Sequence, residues 1–516
     1  MPYSHPDVIR AFADAAERYP ERLATADNGH PLTYAEFAAW VRATAGRLGP
    51  RPGTVGVVAS HSAATVAALL GVLAAGGTYC PVDPAHPEPR RRALLAASGC
   101  RLLLTPDPDA PTPPGVRALA LPSPGEAVPG EALPGKALPG AVPGTGDTAD
   151  ADDPAYVLFT SGSTGAPKPV VTPRGAVSTV TGELRTLFGL TPEDRVLQFA
   201  SPNWDTCLEE ILPALTTGAA LVFDERAHSG SFPRLLRMIE TERITLLDLP
   251  SAFWHELVRH LTEERAVLPA CVRTVVIGGE AVSPVRLADW CALGTDGIRL
   301  VNTYGCTETT LITHAVDLHG PFAPRRDRPW TAGERVPIGR PLPHVRQHVT
   351  GDGELLVGGP SLALGYRDLP EATAERFAEA DLGEGPERCF HTGDRVSRTE
   401  DGTLVHEGRL DHELKVRGVR VDPGEVEAQI SGHPRVGAVA VAGATVADHT
   451  TLAAYVVPRS PADAPTLAGD VLDYLRARVP GHLVPSRITV VPELAYTASG
   501  KVDRAGSHRR YASSAN

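Results

Sequence analysis

Residues Tyr156 to Val170 read Tyr-Val-Leu-Phe-Thr-Ser-Gly-Ser-Thr-Gly-Ala-Pro-Lys-Pro-Val. The apolar run 156–159 has the composition of a buried strand and feeds straight into a Gly/Ser/Thr loop closed by Pro167 and Lys168. Gly162 and Gly165 let a backbone approach a polyanion, and Thr160, Ser161, Ser163 and Thr164 offer hydroxyl and N–H donors. Lys168 adds positive charge. The loop is not a Walker A motif, because Pro167 stands where that pattern needs its second glycine, and it contains no G-x-G-x-x-G. On its chemistry alone it reads either as a phosphate cradle or as a solvated turn.

The sequence around it alternates strands and helices. Residues 55–58 read as a strand, 63–75 as a helix and 76–84 as a return strand, which argues a parallel sheet covered by helices. Ahead of them, Val8, Phe12, Ala15 and Ala16 repeat at helical spacing, and Thr33 with Glu36 three residues on forms a capping box for a second helix. Further on, strands are expected over 195–200, 244–249, 273–277 and 298–301. A helix over 205–215 buries Leu208, Ile211, Leu212 and Leu215. Residues 302–308 read as a polar turn at the carboxyl end of a strand, where open α/β sheets bind ligands. Residues 106–154, rich in Pro-Gly, Ala and Leu/Val near-repeats, read as a flexible insertion without a core. After residue 411, helices over 424–430 and 467–478 and strands over 436–441 and 451–457 make a compact α+β segment of ordinary domain size.

The chain has 516 residues, too many for one ordinary domain, and 42% apolar residues, enough for large cores. Its net charge of −12 argues against nucleic acid or an anionic membrane as a partner. Seven scattered cysteines without a C-x-x-C pair fit a reducing cytoplasm, and the N-terminus carries no signal-peptide pattern. The apolar stretch 66–75 is too short to span a bilayer. Only four lysines occur against 45 arginines: Lys136, Lys168, Lys415 and Lys501. Lysines that persist in so arginine-rich a chain are candidates for positions where a compact ammonium is needed, though Lys136 lies in low-complexity sequence.

The loop and the motifs that follow it in order, from Leu32 to Lys501, resemble the adenylate-forming enzymes, and among them the amino-acid adenylation domains of nonribosomal peptide synthetases. The motifs are Asn302-Thr303-Tyr304-Gly305-Cys306-Thr307-Glu308, the stretch 353–377, Phe390-His391-Thr392-Gly393-Asp394, Gly408-Arg409-Leu410-Asp411 with Lys415, and Ser499-Gly500-Lys501. One departure is Pro169, where the family usually has glycine after the loop lysine. The resemblance implies an α/β fold with a large N-terminal domain of layered β-α-β sheets over 1–410 and a small mobile α+β domain over 411–516, hinged at Asp411. It implies ATP and Mg²⁺ as cofactors. The phosphates fall to the 160–168 loop, adenine to Tyr304 beside Asn302, Gly305 and Thr307, and the ribose to Asp394 with Arg409 nearby. Mg²⁺ falls to Glu308 with Thr160 as a hydroxyl neighbour. Lys501 is the lysine implied to bridge substrate carboxylate and α-phosphate, and Lys415 the one near the bridging phosphate oxygen.

Carried over position by position, the resemblance implies a substrate pocket of Asp205, Thr206, Glu209, Asp248, Val276, Gly278, Thr303, Leu311, Ile312 and Lys501. Asp205 stands where amino-acid-activating members hold the substrate ammonium. Asp205 and Glu209, four apart, share a helix face. Glu209 and Asp248 are two further carboxylates in an otherwise apolar setting, costly unless a cation meets them. The expectation is a free-standing enzyme that activates a basic amino acid, β-lysine or lysine before ornithine or arginine. It would load that acid on a carrier protein in trans, and a small activating protein is a possible second partner. The alternatives are an acyl-CoA or aryl-acid ligase, which Asp205 disfavours, and a catalytically weak scaffolding homologue, which the intact lysines, Glu308 and Asp394 disfavour. Gly358-Gly359-Pro360-Ser361-Leu362 imitates a phosphopantetheine attachment site but is read as structural.

Overall fold

The computed structural model describes residues 5–109, 111–126, 150–161, 166–382, 385–411, 413–416, 419–446, 449–496 and 502–512. By its internal contacts the chain divides into two units, one of residues 1–83, 95–158 and 169–408, the other of 84–94, 159–168 and 409–516.

The larger unit is built on three sheets. In the first, strands Leu246–Pro250, Thr274–Gly278 and Arg299–Gly305 run parallel side by side, and Ile312–His319 returns antiparallel to the last of them. The second is centred on the parallel strands Thr54–Val58 and Thr78–Val82, as the β-α-β pattern predicts, and includes Pro154–Thr160 and Lys168–Pro173. The third pairs Glu354–Gly358 with the long strand Pro386–Arg398, beside which Leu404–Arg409 lies.

Local chemistry explains the helices that position the site. Helix Tyr34–Leu48 starts in the expected capping box, with Glu36 N–H donating to Thr33 Oγ1 at 3.3 Å and Thr33 N–H to Glu36 Oε2 at 2.8 Å. Helix Ala63–Ala74 is apolar but for Thr65 and buried at every residue except Ala64. Helix Thr206–Thr217 buries Leu208, Ile211, Leu212 and Leu215 in the core and stops at Gly218, which adopts the left-handed conformation.

Two expectations change. Residues 302–305 are not a turn, because strand Arg299–Gly305 continues through them and pairs with Ile312–His319. The apolar residues 298–301 signalled only its buried half. The 106–154 insertion is not wholly without structure, since Arg117–Ala120 adds a parallel edge strand to Leu102–Thr105 and Pro154 already opens the next strand. Residues 127–149, which hold Lys136 and most of the Pro-Gly repeats, lie outside the described residues.

The smaller unit buries Val421, Val426, Ile430, Val441, Leu452, Val456, Leu467, Val471 and Leu475 between helices Pro423–Ser431 and Ala464–Arg476 and a three-stranded sheet. Among the described residues no helix is long and apolar enough to cross a membrane.

Candidate adenylation site

The sheet register assembles the expected pocket residues. Asp248 is aligned with Val276, and Val276 with Val301. Partners aligned across parallel strands project to one face, and the period of two adds Gly278 and Thr303 to it. A side chain at Gly278 would have its Cβ 2.6 Å from Thr303 Oγ1, which itself donates to the Ile277 carbonyl at 3.0 Å. Leu311 and Ile312 are buried in the core cluster that also contains Val276 and Leu208. Leu311 follows Thr310 with both residues at positive φ, a strained turn of the kind that gathers at functional sites. Gly305 is required opposite it, because a Cβ there would lie 1.8 Å from the Leu311 carbonyl oxygen.

Asp205 stands at the N-terminus of helix Thr206–Thr217, with Thr206 as its first residue and Glu209 one turn in. Burial pushes the Asp205 carboxyl up to about 6, against the Thr307 hydroxyl that donates to it and with the Glu308 charge adding to the rise. Glu209 and Asp248 are 8% and 3% exposed. Burial is the main cause that raises both; the neighbouring charges of Asp248 and Asp205 raise Glu209 further. Asp248 Oδ2 is buried without a hydrogen-bond partner. Among the described residues no lysine, arginine or histidine pairs with Asp205, Glu209 or Asp248. Among the described residues the arrangement is thus a buried acidic cluster with no cation partner.

Sequence reasoning missed Glu210, which is 1% exposed. Its Oε1 accepts from the N–H groups of Phe199 and Ala200 at 3.0 Å each, and Oε2 from Gln198 Nε2 at 3.1 Å. Glu210 therefore braces the turn that leads into Asp205. Its backbone partners lie ten and eleven residues upstream, with no local signal.

Among the residues expected to bind nucleotide, Tyr304 is 5% exposed and its hydroxyl donates to Asp394 Oδ2 at 2.6 Å. Asn302 donates to the Pro337 carbonyl at 2.7 Å, and its Oδ1 is buried with no partner among the described residues. Glu308, 1% exposed, lies in the short helical turn Thr307–Thr309, where Tyr366 donates to its Oε1 at 2.9 Å.

In the smaller unit, Thr160 Oγ1 is buried without a hydrogen-bond partner among the described residues. Ser161 Oγ donates to the Arg420 carbonyl at 3.0 Å and accepts from Asp422 N–H at 2.9 Å. Lys168 opens strand Lys168–Pro173, and Lys415 sits in the hairpin strand Leu414–Val416, opposite Arg420. Arg409 clamps Asp411, donating from Nε at 2.6 Å and Nη2 at 2.5 Å, and also reaches Glu413 at 2.6 Å. Gly162, Ser163, Thr164, Gly165 and Lys501 lie outside the described residues. The structural reading of the 358–362 stretch fits Ser361, which is fully buried.

For Mg²⁺, a buried Glu308 carboxylate and an unsatisfied Thr160 hydroxyl are hard oxygen donors of the right type. No group of three or more His, Cys, Asp or Glu side chains that could hold a metal occurs among the described residues. A single buried carboxylate of this kind suits a cation that arrives with phosphates, not one caged by protein alone.

Comparison with known proteins identifies the family. The AMP-binding enzyme family model matches residues 12–367, and the AMP-binding enzyme C-terminal domain matches 425–501. The chain is 39% identical to isonitrile lipopeptide synthase of Streptomyces coeruleorubidus over 96% of its length, and spans 33% of that protein. It is 34% identical to novobiocin biosynthesis protein H of Streptomyces niveus, covering 94% of this chain and 80% of that one. Among solved structures, an artificially fused adenylation–PCP di-domain NRPS, NpsA-ThdA from Klebsiella oxytoca, superposes with a TM-score of 0.80 at 25% identity, covering 95% of this chain and 94% of that one. A malonyl-CoA ligase with methylmalonyl-CoA and AMP bound gives 0.75 at 29%, covering 92% and 97%. The chain belongs to the AMP-binding enzymes and resembles the adenylation domains of nonribosomal peptide synthetases.

Proposed function

We propose that this protein activates a basic amino acid, a diamino acid of lysine size, and passes it to the phosphopantetheine thiol of a carrier protein in nonribosomal peptide biosynthesis. In the first half-reaction the substrate carboxylate attacks the α-phosphorus of ATP, the α–β phosphoanhydride breaks, and pyrophosphate leaves. In the second the carrier thiolate attacks the acyl carbon and AMP leaves.

The observation that carries the reading is the Glu209–Asp248 pair, buried and without a cation partner among the described residues. A buried carboxylate pair is costly, and a ligand ammonium between the two offsets that cost. Asp205, on the same helix face as Glu209, would hold the ammonium nearer the reacting carboxylate. The resemblance of the pocket set to those of proteins that activate β-lysine ranks β-lysine first, ahead of lysine and then ornithine or arginine.

Lys501 is assigned to the charge that develops on the substrate carboxylate and α-phosphate, Lys415 to the bridging phosphate oxygen, and the 160–168 loop with Lys168 to the phosphates. Asp394 and Arg409 take the ribose, Tyr304 the adenine, and Asp411 the hinge. Mg²⁺, when bound with ATP at Glu308 and Thr160, supplies charge neutralisation at the phosphates.

Incubation with ATP, Mg²⁺, hydroxylamine and an equimolar mixture of diamino and neutral amino acids tests the reading. The trapped hydroxamates, read by mass spectrometry, should come from the diamino acids; a dominant leucine or phenylalanine hydroxamate would overturn it.

A further inference from the structure

We infer that His406 is a positioning residue of the nucleotide site, holding one oxygen of the Asp394 carboxylate while the Tyr304 hydroxyl holds the other. The inference rests on the reading of Asp394 as the acceptor for the ribose hydroxyls.

Asp394 lies on strand Pro386–Arg398 and His406 on its neighbour Leu404–Arg409. The Asp394 side chain is 2% exposed, so its carboxylate needs donors from the protein. Tyr304 donates to Oδ2 at 2.6 Å, and His406 Nε2 meets Oδ1 at 3.0 Å. A carboxylate only accepts, so His406 carries a proton on Nε2. The terminal torsion of an aspartate is soft, and a single donor would leave the group free to swing. Two donors on opposite oxygens fix the plane.

The surroundings hold both partners in place. Asp394 N–H donates to Thr392 Oγ1 at 3.0 Å, and that hydroxyl donates to the Leu355 carbonyl at 2.7 Å. The His406 carbonyl accepts from Arg335 Nη1 at 3.1 Å, and the adjacent Glu407 accepts from Ser397 Oγ at 2.7 Å. The His406 side chain is 28% exposed, so it is not there to fill a core. Its sequence neighbours gave no hint of the role, because the partner lies twelve residues back on another strand.

The test compares wild type, H406L and H406Q in pyrophosphate exchange with ATP, 2′-deoxy-ATP and 3′-deoxy-ATP. H406L should raise the KM for ATP roughly tenfold, the usual weight of a hydrogen bond to a charged group, and leave the amino-acid KM within about twofold. It should also erode the discrimination against at least one deoxynucleotide, whereas H406Q, whose amide still donates, keeps most of both. A folded H406L with the wild-type ATP KM and unchanged discrimination overturns the inference. Should H406L be too unstable to assay, H406N carries the same test, since its shorter amide does not reach Asp394. D394A separates the two claims. If D394A treats ATP and the deoxynucleotides as wild type does, the ribose reading fails; if D394A is impaired while H406L is not, only the role of His406 fails.

Discussion

Replacing Asp248 by asparagine keeps the shape of the buried pair and removes one charge. In the native protein the Asp248 carboxyl is raised from 3.8 to about 7, chiefly by burial. A rise of that size corresponds to roughly 4 kcal/mol of preference for the protonated form in the folded state. Because folding raises this pKa, the folded chain binds the proton more tightly than the unfolded one. Its contribution to stability is therefore intact below about pH 4 and is lost as pH climbs toward 7. Asp205, raised to about 6, acts in the same direction over a narrower window. Asp248→Asn should accordingly match wild type near pH 4 and exceed it at pH 7.5 by up to ~4 kcal/mol. The same change should lower kcat/KM for diamino acids about 10- to 100-fold and improve neutral acids such as glutamine, because the distal ammonium loses one of its two carboxylates. Denaturant unfolding at the two pH values, with pyrophosphate exchange on the same preparations, reads both effects. A variant no more stable at pH 7.5 than wild type, with full activity on diamino acids, would refute the reasoning.

Lys501→Ala should reduce adenylate formation by a factor of about 100 to 1,000 with ATP and amino-acid binding retained, while transfer from supplied aminoacyl adenylate to carrier survives; wild-type pyrophosphate exchange would refute its assignment. Asp411→Pro should block the transfer step and largely spare adenylation, measured as carrier loading against pyrophosphate exchange, whereas equal loss of both would argue against a hinge there.

Much of the fold was legible because its signals are local. The Thr33 cap, the apolar stripe of helix Thr206–Thr217 and the strand–helix–strand run over 55–84 each lie within one short window. The polar residues Asn302 and Thr303 hid the carboxyl half of their strand, since propensity gives way to pairing with Ile312–His319. The acids at 205, 209 and 248 could be named from sequence, but their meeting is a product of sheet register. What sequence could not supply were the groups that hold the named residues: Glu210 under the Asp205 turn, Thr307 on Asp205, Tyr366 on Glu308 and His406 on Asp394. Most of these links cross from one element to another, and none leaves a periodic trace.

The central claim is that a distal cation selects the substrate, and norleucine is its sharpest probe, having lysine's length without the second ammonium. Steady-state pyrophosphate exchange with β-lysine, lysine and norleucine gives the ratio directly. The account predicts kcat/KM for the preferred diamino acid above that for norleucine by as much as roughly 10⁴, because the neutral chain strands Glu209 and Asp248 unpaired. A wild-type enzyme that uses norleucine as well as either diamino acid would contradict it.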